Sequence, residues 1–525
     1  MISALLLSAA LVTGFIATSS EDSTGWNFTV VFPENIAFYY PNRPYNRVYI
    51  TSLTNETKIY IKTHVVDTSK TLSAGQTEDF LYNERLELRR SNYSNVTLRI
   101  TSNQRVTIHA ISLKSTSIQT VLVIPNHKLG TEYFIPPVPP IQGTTVNVTE
   151  RQHFRLIIVN TNQMNEVTVK AKHPQKLSLH PDQVAQVFIT DDTYQSVKAD
   201  HPITVIFGHT CAIYFNCTCS LLYTMLSPAS QTPLKFYIPT VVVKGAETKT
   251  SLLLSNKTTT EVKMFDLGLP VVETAGTAIL FHAGLLLKLI PVTDFAACYF
   301  INFLPNVDNF AVILVHKNHI DGVHMGSSPL KTTDWERLTG TDYVSTKVKL
   351  TPDKRLIWHS LTIMAVYFQG RRNQSRFGNP AAVLSKSPDY RGCISSPENL
   401  TIGSDAMSWP ESVQYCRKQK MELISLSNSD HQRQIYDKIQ QAMNPSPQEM
   451  WIGMRRSSLN TEWSWLNKNL VNDTNWAENE PGAVEEGHCV VMSANSTGKG
   501  FVWSDKECCE KAYPVCYIPP ILISF

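Results

Sequence analysis

The chain has 525 residues, which at about 100 to 200 residues per domain predicts two to four domains. Lys+Arg 47 against Asp+Glu 44 gives a net charge of +3, with 17% charged residues, so the basic excess that phosphate neutralisation needs is missing and a nucleic-acid partner is argued against. With 42% hydrophobic and 10% aromatic residues, the composition is globular and speaks against disorder for most of the chain.

The first residues, MISALLLSAALVTGFIATSS, are apolar and uncharged. Ala17 and Ser19 supply small-x-small spacing, so residues 1–19 read as a signal peptide, although no Lys or Arg precedes the apolar run. A second apolar stretch, Ala278 to Val292, is interrupted by His282, Lys288 and Pro291 and is short for a bilayer, which predicts buried strands. No membrane span is expected after signal cleavage. Ten cysteines fit an oxidising compartment. Eleven Asn-x-Ser/Thr sequons, at Asn27, Asn55, Asn92, Asn95, Asn147, Asn216, Asn256, Asn373, Asn399, Asn472 and Asn495, agree with a secreted, extracellular glycoprotein.

Between residues 25 and 368, short runs such as RVYITSL, KIYIKTHVV, FRLIIVN and ITVIFG alternate apolar with polar residues and are separated by turn residues, which predicts an all-β region of sandwich-type repeated β-units. An internal echo supports repetition. RITSNQRVTIHA at Arg99 to Ala110 parallels SVKADHPITVIF at Ser196 to Phe207, and TEYFIPPV at Thr131 parallels LKFYIPTV at Leu234. FAVILVHKNHI is a possible third copy that resists alignment; a β-propeller would repeat at a shorter period. His316 and His319 fall in this segment, where strand geometry predicts opposite faces. Cys211, Cys217, Cys219 and Cys298 read as disulfide partners, because Cys217 and Cys219 are too close for usual zinc spacing.

At LGTEYFIP (Leu129 to Pro136) and ITVIFGHTCAIYFNCTCSLLYTMLSP (Ile203 to Pro228) the region resembles the N-terminal domain of the IgG-Fc-binding-protein family of mucus. The resemblance spans roughly residues 25 to 365 and implies adhesive contacts with immunoglobulin or mucin. A polar stretch with Gly, Pro and Ser follows, predicting a linker over residues 369–389.

The last quarter has six of the nine tryptophans. Ser408-Trp-Pro-Glu411 is a capping-box pattern before a helix containing Cys416, and Ser427 is expected to open a second helix with Ile435, Ile439 and Met443 on one face. Then come Trp451-Ile-Gly-Met454, Trp463-Ser-Trp465, Trp476, Glu480-Pro-Gly482, Cys489, Trp503-Ser-Asp505, Cys508 and Cys516. That ordered series resembles a C-type lectin domain over residues 390–518, an α+β fold, with most of Trp451, Trp463, Trp465 and Trp503 expected in the core. The resemblance implies Cys416–Cys516 and Cys489–Cys508 disulfides. Cys393 and Cys509 remain, and a Cys393–Cys509 bond is the expectation if Cys508 and Cys509 lie on a strand and face opposite ways.

In sugar-binding members of that family, a Glu-Pro-Asn or Gln-Pro-Asp triplet, a nearby Glu and a Trp-Asn-Asp motif hold Ca²⁺ and two sugar hydroxyls. The matching residues here are Glu480, Pro481, Glu486, Ser504 and Asp505, with Gly482 in place of the third triplet residue. Two amide carbonyls are missing from a cation that takes 6 to 8 oxygens, so Ca²⁺ is a doubtful cofactor. A cis bond before Pro481 is implied by the family. No hydrolase elbow, metalloprotease helix, phosphate loop or dinucleotide fingerprint occurs, so no enzyme is expected. The sequence thus points to recognition of carbohydrate or glycoprotein ligands, such as mucin, microbial surfaces or immunoglobulin. The alternative is an adhesive protein whose lectin-like domain makes Ca²⁺-independent protein contacts.

Overall fold

In the computed structural model, one unit runs to Ser395 and takes up the chain again at Leu522, and the other is Ser396–Ile521. The described residues are 23–523 except 38–42, 64–66, 90, 116, 140–152, 191, 216–217, 244–249, 257–259, 265–269, 283, 333, 374, 397, 427, 443–448, 458–460, 470, 472, 484–486 and 495–499. The predicted signal peptide, Cys217, Ser427, Met443, Glu486 and the sequons at Asn147, Asn216, Asn472 and Asn495 lie outside them. Of the other sequons, Asn55, Asn92, Asn95, Asn373 and Asn399 are exposed and Asn27 and Asn256 are partly buried.

Alternation dictates the first unit's strands. In Thr57–Lys62, Ile59 and Ile61 are buried while Lys58, Tyr60 and Lys62 face water. The long strand Leu98–Lys114 is the centre of a seven-stranded sheet. Its partners are Gly25–Val30, Tyr45–Ser52, Thr57–Lys62 and Ser117–Leu122, with Asp67–Leu72 and Thr77–Tyr82 outside them. The strand Ser196–Phe215 organises a second sheet with the same order: Gln175–Leu179, Asn165–Lys170, the long strand, Arg155–Asn160, Val184–Phe188. Gly130–Phe134 and Thr218–Met225 flank that long strand as their counterparts do in the first sheet. The echo between residues 99–110 and 196–207 is therefore the central strand of a duplicated β-unit.

Two further copies follow. From Cys298 the same connections recur with the long strand broken into Leu356–His359 and Ala365–Arg372. Cys298–Phe300 and Val323–Met325 pair with the first piece, and Asp308–His316 and Ser375–Pro380 with the second. Between them a shortened copy uses Leu234–Tyr237, Ser251–Ser255 and the broken strand Val271–Thr274 with Ala278–His282. Leu285–Lys288 closes it, so the apolar stretch beginning at Ala278 forms buried strands. One tyrosine device recurs too. Tyr133 accepts the Gly130 N–H at 2.9 Å and donates to Ile203 O, and Tyr299 accepts the Ala296 N–H at 3.0 Å and donates to Met364 O.

Three expectations are corrected here. Residues 369–389 are no linker, since Ala365–Arg372, Ser375–Pro380 and Ala382–Ser385 are strands of the first unit with Phe377 and Asn379 buried. Cys393 bonds Cys298, not Cys509, because the strand Cys298–Phe300 pairs with Ala382–Ser385 and brings the two Cα atoms to 5.5 Å. Cys509 lies in a turn beyond the strand Phe501–Lys506, exposed and free, so the alternation argument did not apply to it. His316 ends a strand and accepts the Asn318 N–H, and the turn Lys317–Gly322 brings the His319 ring within 5.5 Å of its own. A further bond joins Cys211 to Cys219.

In the second unit, α1 (Trp409–Lys418) starts at a full capping box, Ser408 accepting from Glu411 N and Glu411 from Ser408 N. α2 (Ser429–Ala442) starts at Asn428, whose side chain accepts from His431 N, and buries Ile435 and Ile439. The strands Met450–Arg456, Cys489–Ala494, Phe501–Lys506 and Tyr513–Ile518 form the main sheet. Gly453 is required where its strand passes Leu423, since a Cβ would meet Leu423 O at 2.6 Å. Trp451 and Trp503 are fully buried and Trp465 nearly so. Disulfides link Cys416 to Cys516 and Cys489 to Cys508.

Candidate functional site

The loop between Trp476 and Cys489 is fixed at both ends by backbone. Trp503 N donates to Asn475 O and Ala477 N to Trp503 O, each at 2.8 Å, which ties the loop's start to the strand Phe501–Lys506. The Glu480–Pro481 bond is cis, and Glu480 N donates to Ala477 O at 3.1 Å. Asp505 receives the loop: its Oδ1 accepts the Gly482 N–H at 2.8 Å. At Gly487 a Cβ would stand 2.6 Å from Lys506 N and 2.9 Å from Asp505 Oδ2, so only glycine lets the returning chain close there.

A residue that sequence reasoning passed over completes the site. Arg456, last in the strand Met450–Arg456, points its guanidinium into the loop. Nη2 donates to Gly482 O at 3.1 Å and lies 3.5 Å from Asp505 Oδ2. The two side chains are 5% and 2% exposed. The guanidinium carbon sits 4.6 Å from the centroid of the Trp463 ring, a cation–π contact that leaves Trp463 half-buried as a platform. The available signal was a basic pair, Arg455-Arg456, closing a buried apolar strand.

The predicted ligand residues come together only in part. Glu480 and Asp505 share a hydrogen bond. Loss of solvation and that bond to Asp505 raise the Glu480 carboxyl above its ordinary pKa. Ser504 is on the strand opposite Val491, Gly482 contributes only backbone, and Glu486 is outside the described residues. The described groups leave Ca²⁺ few free oxygens. One carboxylate oxygen is taken by Gly482 N–H, another faces a guanidinium, and a second cation would meet Arg456 at close range in a poorly screened setting. Among the described residues no group of three or more His, Cys, Asp or Glu is placed to hold a metal ion.

Two short helices, a Trp-rich sheet, the paired disulfides and a cis-proline loop define a C-type lectin-like domain, carried on a repeated β-region. Family models agree: "Lectin C-type domain" matches residues 405–518 and "IgGFc binding protein" matches residues 119–283. The chain belongs to the C-type lectin family through its second unit and carries an IgGFc-binding-type region in its first. Human IgGFc-binding protein is 24% identical over 470 residues, 78% of this chain and 8% of that protein. The C-type lectin mosGCTL-7 of Aedes aegypti is 30% identical over 115 residues, 21% of this chain and 75% of that protein. Human lithostathine matches at 24% identity over 23% of this chain and 92% of its own, with a TM-score of 0.22. The chain spans 8% of human IgGFc-binding protein and 14% of the mouse P-selectin it also resembles. Both matched families are recognition domains. Among the described residues no helix is long and apolar enough to cross a membrane.

Proposed function

We propose that this protein is a secreted recognition glycoprotein whose lectin-like domain binds extracellular glycoprotein ligands without Ca²⁺. The observation that carries the reading is Arg456, a covalently attached cation that pairs with Asp505 and Gly482 O in the loop where metal-dependent members place Ca²⁺. The stretch from Asn475 to Gly482 then has its shape before any ligand arrives, and contact falls to the half-buried Trp463 and Glu480 beside it. Binding of full-length protein to immobilised mucin tests this. Retention in excess chelator and in free monosaccharide supports it, and loss in chelator refutes it.

A second reading rests on the first unit. The IgGFc-binding match over residues 119–283 favours immunoglobulin as a partner of the β-region. Capture of an immunoglobulin Fc fragment by full-length protein, unaffected by Arg456→Met, supports that reading. Absence of capture refutes it.

A further inference from the structure

A partly enclosed cavity of about 280 Å³ lies where the four β-units of the first unit converge. Each copy contributes to its wall: Ile124 from the end of the first, Met225 from the second, Phe236 from the third and Ala381 from the fourth. The lining is apolar except for a few groups, of which Lys288 is decisive. It closes the shortened third copy, stands partly buried in the cavity wall, and among the described residues its ammonium has one hydrogen bond, a long one of 3.4 Å to Ser227 Oγ. An ammonium taken out of water with so little compensation is costly, and a methionine would fill the same space more cheaply.

The surrounding charge has a definite sign. Lys128 and Asp294 also line the cavity. Asp294 has a further cation outside the cavity lining, in a partly exposed pair with Lys386 Nζ 3.8 Å from its Oδ1. Three lysines therefore stand around one carboxylate, and the cavity is left with net positive charge. Its size sits at the lower edge of the ~300–1,000 Å³ typical of small-molecule sites, which suits a medium-length chain and excludes a long lipid tail.

We propose that this cavity binds a small apolar monocarboxylate, with the acid group on Lys288 and the hydrocarbon tail against Ile124, Met225 and Phe236. The site belongs to the repeated β-region and is independent of the lectin-like loop. Burial draws the Lys288 ammonium down to about 8, opposed by Asp294, so it is still mainly protonated at neutral pH.

Octanoate is the probe, titrated calorimetrically into full-length protein at neutral pH beside 1-octanol and octylamine. Octanoate is expected to bind best, and Lys288→Met to weaken it about ten- to hundredfold while leaving octanol binding unchanged and the melting temperature no lower. Asp294→Asn is expected to tighten it. Equal affinity for octanoate and octanol, unchanged octanoate binding by the folded Lys288→Met variant, or no octanoate binding at millimolar concentration overturns the proposal. Should that variant fail to fold, the wild-type pH profile decides. Affinity falling as pH rises through about 8 supports the site, and a flat profile overturns it.

Discussion

Replacing Arg456 by methionine keeps most of the side chain's volume and removes its charge, leaving Asp505 buried beside Glu480 with no cation. Breaking a buried pair by deleting one partner costs about 3–5 kcal/mol, and exposures of 5% and 2% place this pair in that class. For the unit Ser396–Ile521 the unfolding entropy near 60 °C amounts to about 0.26 kcal/mol per degree, so the midpoint should fall by about 11 to 19 °C. Asp505→Asn added to Arg456→Met should recover much of that loss, since the stranded charge is what costs. The assay is scanning calorimetry of full-length protein, following the transition of the Trp-rich unit in Ca²⁺ and in chelator. A working calcium site at about a hundred times its Kd would add roughly 2.7 kcal/mol, or about 10 °C, whereas the guanidinium reading expects no shift in the wild type. An upward shift with Ca²⁺, or an Arg456→Met midpoint within about 2 °C of wild type, would refute the reasoning.

Non-reducing peptide mapping should recover a Cys298–Cys393 peptide pair and an alkylated Cys509. Replacing both Cys298 and Cys393 by serine opens a sequence separation of 95 residues and should cost the first unit about 4 to 5 kcal/mol on the chain-entropy account. Glu87 is buried, accepting from Asn46 and Asn35, and burial pushes its carboxyl up to about 7. The fold holds that proton more tightly than the unfolded chain, so the associated stability is full below about 4.5 and lost as pH rises through 7. Glu87→Gln should therefore be neutral in acid and stabilising above pH 7, by on the order of 3 kcal/mol in denaturant titrations. Ser408→Ala removes one arm of the capping box on α1 and should cost about 1 kcal/mol in the same measurement.

The lectin-like domain was legible because its signals are local: a capping box, tryptophans at fixed order, a Glu-Pro triplet. The duplicated β-unit was legible where its central strand is continuous, at Leu98–Lys114 and Ser196–Phe215. It faded where that strand breaks, at residues 275–277 and again at 360–364, because the break ends the alternation that an alignment follows. The supposed linker misled for a related reason. Some of its polar residues are buried and bonded, Asn379 accepting from Thr120 and Ser375 lying 3.4 Å from Ser220, and composition cannot tell a bonded asparagine from a solvated one. Arg456 escaped notice because its role depends on a loop some 26 residues later in the chain.

The path of the chain between the two units carries a final consequence. It leaves the β-region after Ser395 and rejoins it at Leu522, where Ile523 N donates to Cys393 O at 2.7 Å. The recognition domain is thus a cassette spliced into a single seam, with its entrance and exit side by side on a disulfide-anchored strand end. A different binding module with adjacent ends could be exchanged at that seam without severing the β-scaffold, so specificity and support are free to evolve separately.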